Sequence, residues 1–153
     1  LLCSSTMSAM GSGLPEAVGA CLANGGKLTT CLIGDGSLMF NLQELQTIAT
    51  LKLPIKIFVL ENEGYLAIRQ TQRDFQEGRY YGVGAPHLQF PNLVNVAHTF
   101  GLTYARGNHA YTQDILAYDG PVLAGVQCPA DQPMLRQGFR DGKPLPLTEM
   151  VIA

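Results

Sequence analysis

The chain has 153 residues, 46% hydrophobic and 14% charged, a balance that fits one folded domain with a sizeable core and excludes a disordered polypeptide. A formal net charge of -2 argues against the basic face that general nucleic-acid or membrane-surface binding needs. No apolar run reaches the length of a membrane span, and the opening LLCSSTMSAM lacks a basic stretch, so neither a transmembrane helix nor a signal peptide is expected.

In chain order, GSGLPEAVGACLAN predicts a helix. Pro15 lies near its start, Leu14, Val18, Ala20, Cys21 and Leu22 are its apolar residues, and Asn24-Gly25-Gly26 stops it. KLTTCLIG predicts a short buried strand ending at Gly34. After GDGS, Leu42, Leu45, Ile48, Ala49 and Leu51 recur at helical spacing until Pro54 closes the segment. IKIFVLE, rich in β-branched and aromatic residues, predicts a second strand. GYLAIRQTQ predicts a helix or helical turn, and the glycine- and proline-punctuated RDFQEGRYYGVGAPHLQFP a loop. NLVNVAHTFG predicts a helix ending at Gly101, with Leu93, Val94, Val96, Ala97 and Phe100 on its apolar side. LTYAR and PVLAGVQC predict further strands. A parallel crossover needs a dozen or more residues, so either AYTQDILAY is a truncated helix or residues are missing near 106–114. Residues 1–128 are expected to form the domain and the polar, proline-dotted residues 129–153 an arm packed on a neighbour.

Strands alternating with helices imply an α/β fold, a parallel sheet flanked by helices on both faces, with ligands gathered outside the carboxyl ends of the strands. Two polar clusters fall at that edge: Gly34-Asp35-Gly36-Ser37 after the first strand and Glu61-Asn62-Glu63-Gly64 after the second. One helix and one strand separate them, which returns both to the same side of the sheet. Magnesium takes hard oxygen ligands in a tight octahedron and shares them with phosphate and water. Asp35 offers a carboxylate, Asn62 a side-chain carbonyl and Gly64 a backbone carbonyl. Gly36 lets the backbone approach a phosphate, Ser37 adds a hydroxyl, and the following helix presents free N–H groups. Ordinary Asp-Gly turns and Asn caps account for the same residues, so both readings stand at this point. A generic nucleotide site is weaker, because neither GxGxxG nor GxxxxGK[ST] occurs. The four cysteines, Cys3, Cys21, Cys31 and Cys128, contain no CxxC pair and read as reduced thiols of a cytoplasmic protein. His87, His98 and His109 have no zinc-ligand spacing.

GDGS, a helix of NLQEL type, LP before a strand and an Asn-containing turn together resemble the thiamine-diphosphate motif. SAMGSGLPEAVGACLA upstream, and GYLAIRQTQ and FPNLVNVAHTFGL downstream, resemble the acetolactate synthase-like members of that group. The likeness covers most of the chain, from about Ser4 to Cys128. It implies a diphosphate-binding domain, with thiamine diphosphate and Mg²⁺ or Ca²⁺ as cofactors and a 2-oxo acid such as pyruvate as substrate. The reaction implied is decarboxylation followed by carboligation of acetolactate type. Decarboxylation without carboligation and a non-catalytic cofactor-binding module are the alternatives.

Carried over by position, the resemblance makes Asp35, Asn62 and the Gly64 carbonyl the metal ligands. Gly34, Gly36, Ser37 and the backbone near Tyr65 would hold the diphosphate. Met10 would prop the bent cofactor, the Ser8 carbonyl would accept from its amino group, and Leu66, Ala67 and Ile68 would line the substrate side. Taken alone, Met10, Leu66 and Ile68 also fit plain packing, Arg69 and Arg73 read as solvated with a carboxylate or phosphate partner as the alternative, and Glu44 reads as structural. The family's usual Asn-Asn pair is Glu61-Asn62 here, and the sequence gives Glu61 no role. The family's activating glutamate comes from a pyrimidine-binding domain, which nothing in this chain resembles. No catalytic residue is therefore assigned here, and the implied partner is such a domain from another chain or subunit, in a dimer or tetramer. The family's domain also usually opens with one more strand and helix than this chain carries.

Overall fold

The computed structural model describes residue 7, residues 9–132 and the pairs 135–136, 139–140, 143–144 and 151–152. Cys3, Ser8 and most of the expected C-terminal arm lie outside the described residues. Four parallel strands form the central sheet: β1 (Thr29–Gly34), β2 (Ile55–Glu61), β3 (Thr103–Arg106) and β4 (Val122–Gln127), in the order β1-β2-β4-β3. Two two-residue antiparallel pairs, Leu135–Arg136 with Val151–Ile152 and Phe139–Arg140 with Lys143–Pro144, lie in the C-terminal segment.

Helices cover both faces of the sheet. The larger core joins α1 (Gly13–Ala23), α3 (Glu44–Thr50) and α5 (Leu93–Phe100) to one face, through Leu14, Cys21, Leu45, Ile48, Val96 and Ala97 packed on Ile33, Ile57, Val59 and Leu123. The smaller core joins Ile115 of α6 (Thr112–Ala117) to Phe58, Val122 and Ala124 on the other face. Strand alternation makes this division: Ile55, Ile57 and Val59 point one way, and Lys56 and Phe58 the other.

Local chemistry accounts for the helix ends. Gly25 (φ 70°) and Gly26 (φ 73°) turn the chain back after α1, and Gly26 N–H donates to Cys21 O at 2.8 Å. The Asn92 side chain caps α5 by accepting from Val94 N–H at 2.9 Å and Asn95 N–H at 3.3 Å, and Gly101 ends it at φ 71°. The crossover from β3 to β4 is a single 3-10 turn, His109–Tyr111, followed by the six-residue α6, so AYTQDILAY is a truncated helix.

The helix expected after GDGS is broken into pieces. A one-turn α2 (Asp35–Leu38) and a 3-10 turn (Met39–Asn41) precede α3, which starts at Glu44 and leaves Leu51 outside it and exposed. α4 (Leu66–Phe75) runs past the predicted GYLAIRQTQ into the expected loop, and none of its residues is buried.

Cys21 and Cys31 are buried free thiols, and burial, with Glu16 nearby, pushes the Cys31 thiol up to about 11. Lys56 of β2 is fully buried, and its ammonium donates to Tyr118 O at 2.6 Å and to Gly120 O. Among the described residues, no helix is long and apolar enough to cross a membrane.

Candidate functional site

The site lies where β1 and β2 end side by side, since Gly34 pairs in register with Leu60. Gly34 is still extended (φ -77°, ψ 155°), and the chain turns into α2 immediately after it. That turn tucks Asp35 inward, leaving it only 6% exposed. Its Oδ1 accepts the N–H of Gly36 at 2.7 Å, and its Oδ2 accepts the N–H of Glu63 at 2.8 Å. Burial raises the Asp35 carboxyl above its ordinary 3.8, against the pull of backbone N–H groups of Gly36, Glu63, Asn62 and Gly64. Among the described residues the ion pairs are Arg73–Asp74 and Arg79–Glu77, and neither involves Asp35.

Asn62 points its amide at this carboxylate. One amide atom lies 2.8 Å from Gly64 O and 3.2 Å from Asp35 Oδ1. With nitrogen at that position, the amide donates to both oxygens. Turned over, the amide brings its oxygen beside the same two oxygens, an arrangement that a bound cation favours. Oxygens on adjacent corners of a magnesium octahedron lie about 2.9 Å apart, given metal–oxygen distances of about 2.0–2.1 Å. The spacing around Asn62 is of that size. One carboxylate, one amide and one backbone carbonyl is also a hard donor set that leaves room for phosphate oxygens and water, so the residues fit a magnesium ion carrying a diphosphate.

Gly64 turns the second loop at φ 152°, and a Cβ there would strike Val83 O and lie 2.6 Å from the Arg69 guanidinium. Gly36 is as crowded. A Cβ on it would lie 2.7 Å from Tyr65 Cδ1 and 3.1 Å from Phe90 Cζ. The space this glycine leaves is thus filled by the Tyr65 ring, which meets Phe90 edge-on at 5.9 Å between centroids. The backbone donors at the site are also engaged: Gly36 N–H is held by Asp35, and Tyr65 N–H donates to Val83 O at 2.9 Å. The row of free N–H groups expected at a long helix is therefore reduced to a single turn.

Ser37 Oγ accepts the N–H of Gly11 at 2.8 Å, and Asn41 Nδ2 donates to Gly11 O at 3.0 Å. These bonds clamp the turn at Gly11 (φ 93°) onto α2 and the 3-10 turn after it; the neighbouring Met10 is 44% exposed. Among the described residues no acceptor takes the Ser37 hydroxyl proton. Leu66, Ala67 and Ile68 form the first turn of α4 directly after Tyr65; Leu66 is half-buried, and Ala67 and Ile68 are exposed. An open groove between α1 and the edge strand β1 reaches Gly34 and Ser37 at one end.

Two residues differ from the sequence reading. Arg69 is half-buried and bonded to the backbone. It donates to Glu63 O and Val83 O, each at 3.2 Å, and to Ala130 O. Glu61 is also engaged: its Oε2 accepts from Gln127 Nε2 at 2.7 Å, with Tyr104 close by across Gly125. No sequence signal marks a backbone carbonyl as an arginine's partner, whereas the Glu61–Gln127 pairing follows once β2 and β4 are aligned.

Residues 1–124 match the family described as thiamine pyrophosphate enzyme, C-terminal TPP binding domain. The chain is 34% identical to the acetolactate synthase large subunit of Cyanidium caldarium, over 98% of its own length and 27% of that protein's. It is 35% identical to the acetolactate synthase isozyme 1 large subunit of Escherichia coli K12, with the same coverage of 98% and 27%. It thus spans about a quarter of the curated relatives it matches. Among solved structures, the thiamine diphosphate-dependent 4-hydroxybenzoylformate decarboxylase of Rhodococcus jostii RHA1 superimposes with a TM-score of 0.68 at 31% identity, over 78% of this chain and 23% of that one.

Proposed function

Because the chain belongs to the thiamine pyrophosphate enzyme family, as its C-terminal TPP-binding domain, we propose that it holds the diphosphate end of that cofactor through a magnesium ion ligated by Asp35, Asn62 and the Gly64 carbonyl. The observation that carries this reading is that the buried Asp35 carboxylate, the Asn62 amide and the Gly64 carbonyl converge where β1 and β2 end. When bound, thiamine diphosphate supplies the electron sink for decarboxylation of a 2-oxo acid. The chain's residues position it. Asp35 contributes the one negative charge of the ligand set, Ser37 donates its hydroxyl to a phosphate oxygen, and Gly34 and Gly36 give the tight turn that brings these groups together. Met10 props the other end of the cofactor, and Leu66, Ala67 and Ile68 line the substrate side; Ser8, the family's carbonyl acceptor by position, lies outside the described residues.

The substrate class is a 2-oxo acid such as pyruvate, used in acetolactate-type carboligation; the similarity to acetolactate synthase large subunits supports this. The likeness to a decarboxylase structure favours simple decarboxylation as the second reading. The activating carboxylate comes from a pyrimidine-binding domain outside residues 1–153, in a dimer or tetramer. Residues 1–128 make up the diphosphate domain, residues 129–153 an arm on a neighbour, and the protein works in the cytoplasm.

The test is calorimetric titration of thiamine diphosphate into the wild-type protein and Asp35→Ala, with and without Mg²⁺. Binding that needs both Mg²⁺ and Asp35 supports the assignment, and equal binding by the two proteins overturns it.

A further inference from the structure

We infer that Arg69 is the positioning residue of the cation site, the group that aims the Gly64 carbonyl at the metal; this rests on the function proposed above. The guanidinium reaches from the first turn of α4 to three backbone carbonyls on three separate segments: Glu63 O at 3.2 Å, Val83 O at 3.2 Å, and Ala130 O. The first two determine the geometry of Gly64. The peptide plane before Gly64 is held because its carbonyl, Glu63 O, accepts from Arg69. The plane after Gly64 is held because its N–H, that of Tyr65, donates to Val83 O at 2.9 Å, and Arg69 fixes that same oxygen. In a trans peptide the C=O points opposite the N–H. Tying Tyr65 N–H toward Val83 therefore turns Gly64 O the other way, to the Asn62 amide 2.8 Å off and the Asp35 carboxylate beyond it.

The packing around the guanidinium shows that the arrangement is built. A Cβ on Gly64 would lie 2.6 Å from Arg69 Nη2, and one on Gly84 would lie 2.8 Å from the same atom and 2.9 Å from Glu63 O. Both glycines leave the space that the arginine fills. Its charge meets carbonyl dipoles rather than a carboxylate, and its planar fork of donors holds several acceptors in a fixed arrangement that a lysine's flexible ammonium does not impose. Ala130 lies in the C-terminal segment, next to its first residue Pro129, so the same side chain ties that point to the metal loop.

The inference concerns geometry, and cation selectivity reads geometry directly. Magnesium demands a near-ideal octahedron, whereas calcium accepts irregular, flexible sites. Disturbing a group that orients a ligand costs about 10–100-fold in metal affinity. The test measures the half-saturating Mg²⁺ and Ca²⁺ for thiamine diphosphate binding, by calorimetry on the intact protein, in wild type, Arg69→Lys and Arg69→Met. Melting curves confirm that each variant is folded at the assay temperature. The expected result for both variants is a rise in half-saturating Mg²⁺ of about tenfold or more, and a rise in half-saturating Ca²⁺ of under about threefold. Unchanged values, or an equal rise for both cations, overturn the inference, since a merely structural arginine would not change the preference between them. A wild-type protein that binds no thiamine diphosphate with either cation overturns the underlying reading, and this inference with it.

Discussion

Asp35 Oδ2 accepts the backbone N–H of Glu63 at 2.8 Å, so the carboxylate that follows β1 is bonded directly to the loop that follows β2. The two halves of the site are joined by this bond before any ligand enters. Asp35→Asn separates its two duties. Asparagine has one oxygen for the two N–H donors, Gly36 and Glu63, so one of them faces an NH₂ group. The lost bond costs about 1–3 kcal/mol, and removing a buried ionised carboxylate offsets part of it. The variant is expected to unfold cooperatively in urea within about 2 kcal/mol of wild type, yet to lose Mg²⁺-dependent thiamine diphosphate binding by calorimetry. Retained binding would show that the charge is not what holds the cation.

Much of this site was legible in the sequence because its polar residues sit at strand ends, and the strands and capped helices carry strong local signals. β-branched runs gave β1 and β2, and Asn92 and Gly101 bracketed α5. The pieces after GDGS were harder. The spacing of Leu42, Leu45 and Ile48 is helical throughout, but Ser37 and Asn41 bond to Gly11, a contact 26 to 30 residues back that no local pattern encodes. Arg69 carries no local signal for the same reason: its partners are carbonyls of residues 63, 83 and 130, and every residue has a carbonyl.

Gly36 tests whether the glycine is needed for space already filled within the protein. A Cβ there would lie 2.7 Å from Tyr65 Cδ1. Gly36→Ala should therefore destabilise the fold by about 1–3 kcal/mol through overpacking. In a Tyr65→Ala background the same substitution should cost less than half as much, because contacting residues couple. Equal costs in both backgrounds, measured by denaturant unfolding, would show that the ring is not the obstacle.

Glu61 is placed to act on Tyr104. Burial, then the Glu61 charge, raises the Tyr104 phenol above its ordinary 10.0, and Arg106 opposes them. The folded state therefore keeps this proton longer than the unfolded chain, and stability falls as pH rises from 10.0 to the raised value. Glu61→Gln keeps an oxygen to accept from Gln127 and removes the charge. Tyr104 should then ionise at lower pH, still above 10.0 because burial remains. Tyrosine absorbance against pH, with a Tyr104→Phe control subtracted, measures the shift. An unmoved titration would mean that the Glu61 charge does not reach the phenol.

Lys56 sits at the opposite end of β2 from the site, and its ammonium holds Tyr118 O and Gly120 O while lying 5.6 Å from the Tyr118 ring centroid. Those residues lead into β4, whose Val122 pairs with Lys56, so the lysine fixes where β4 enters the sheet. Desolvation lowers its pKa from the ordinary 10.5, and Asp119 partly opposes this. Between the lowered value and 10.5 the unfolded chain binds more protons than the folded one, so stability rises with pH across that window and is level on either side. Lys56→Met keeps most of the side-chain volume and leaves two carbonyls without their donor, at a cost of about 1–3 kcal/mol near neutral pH. The variant lacks the titrating group, so the gap between wild type and variant should widen as pH approaches 10.5. Urea unfolding at a series of pH values reads this gap. A constant gap would mean that Lys56 titrates alike in the folded and unfolded chains, and that its burial has no electrostatic cost.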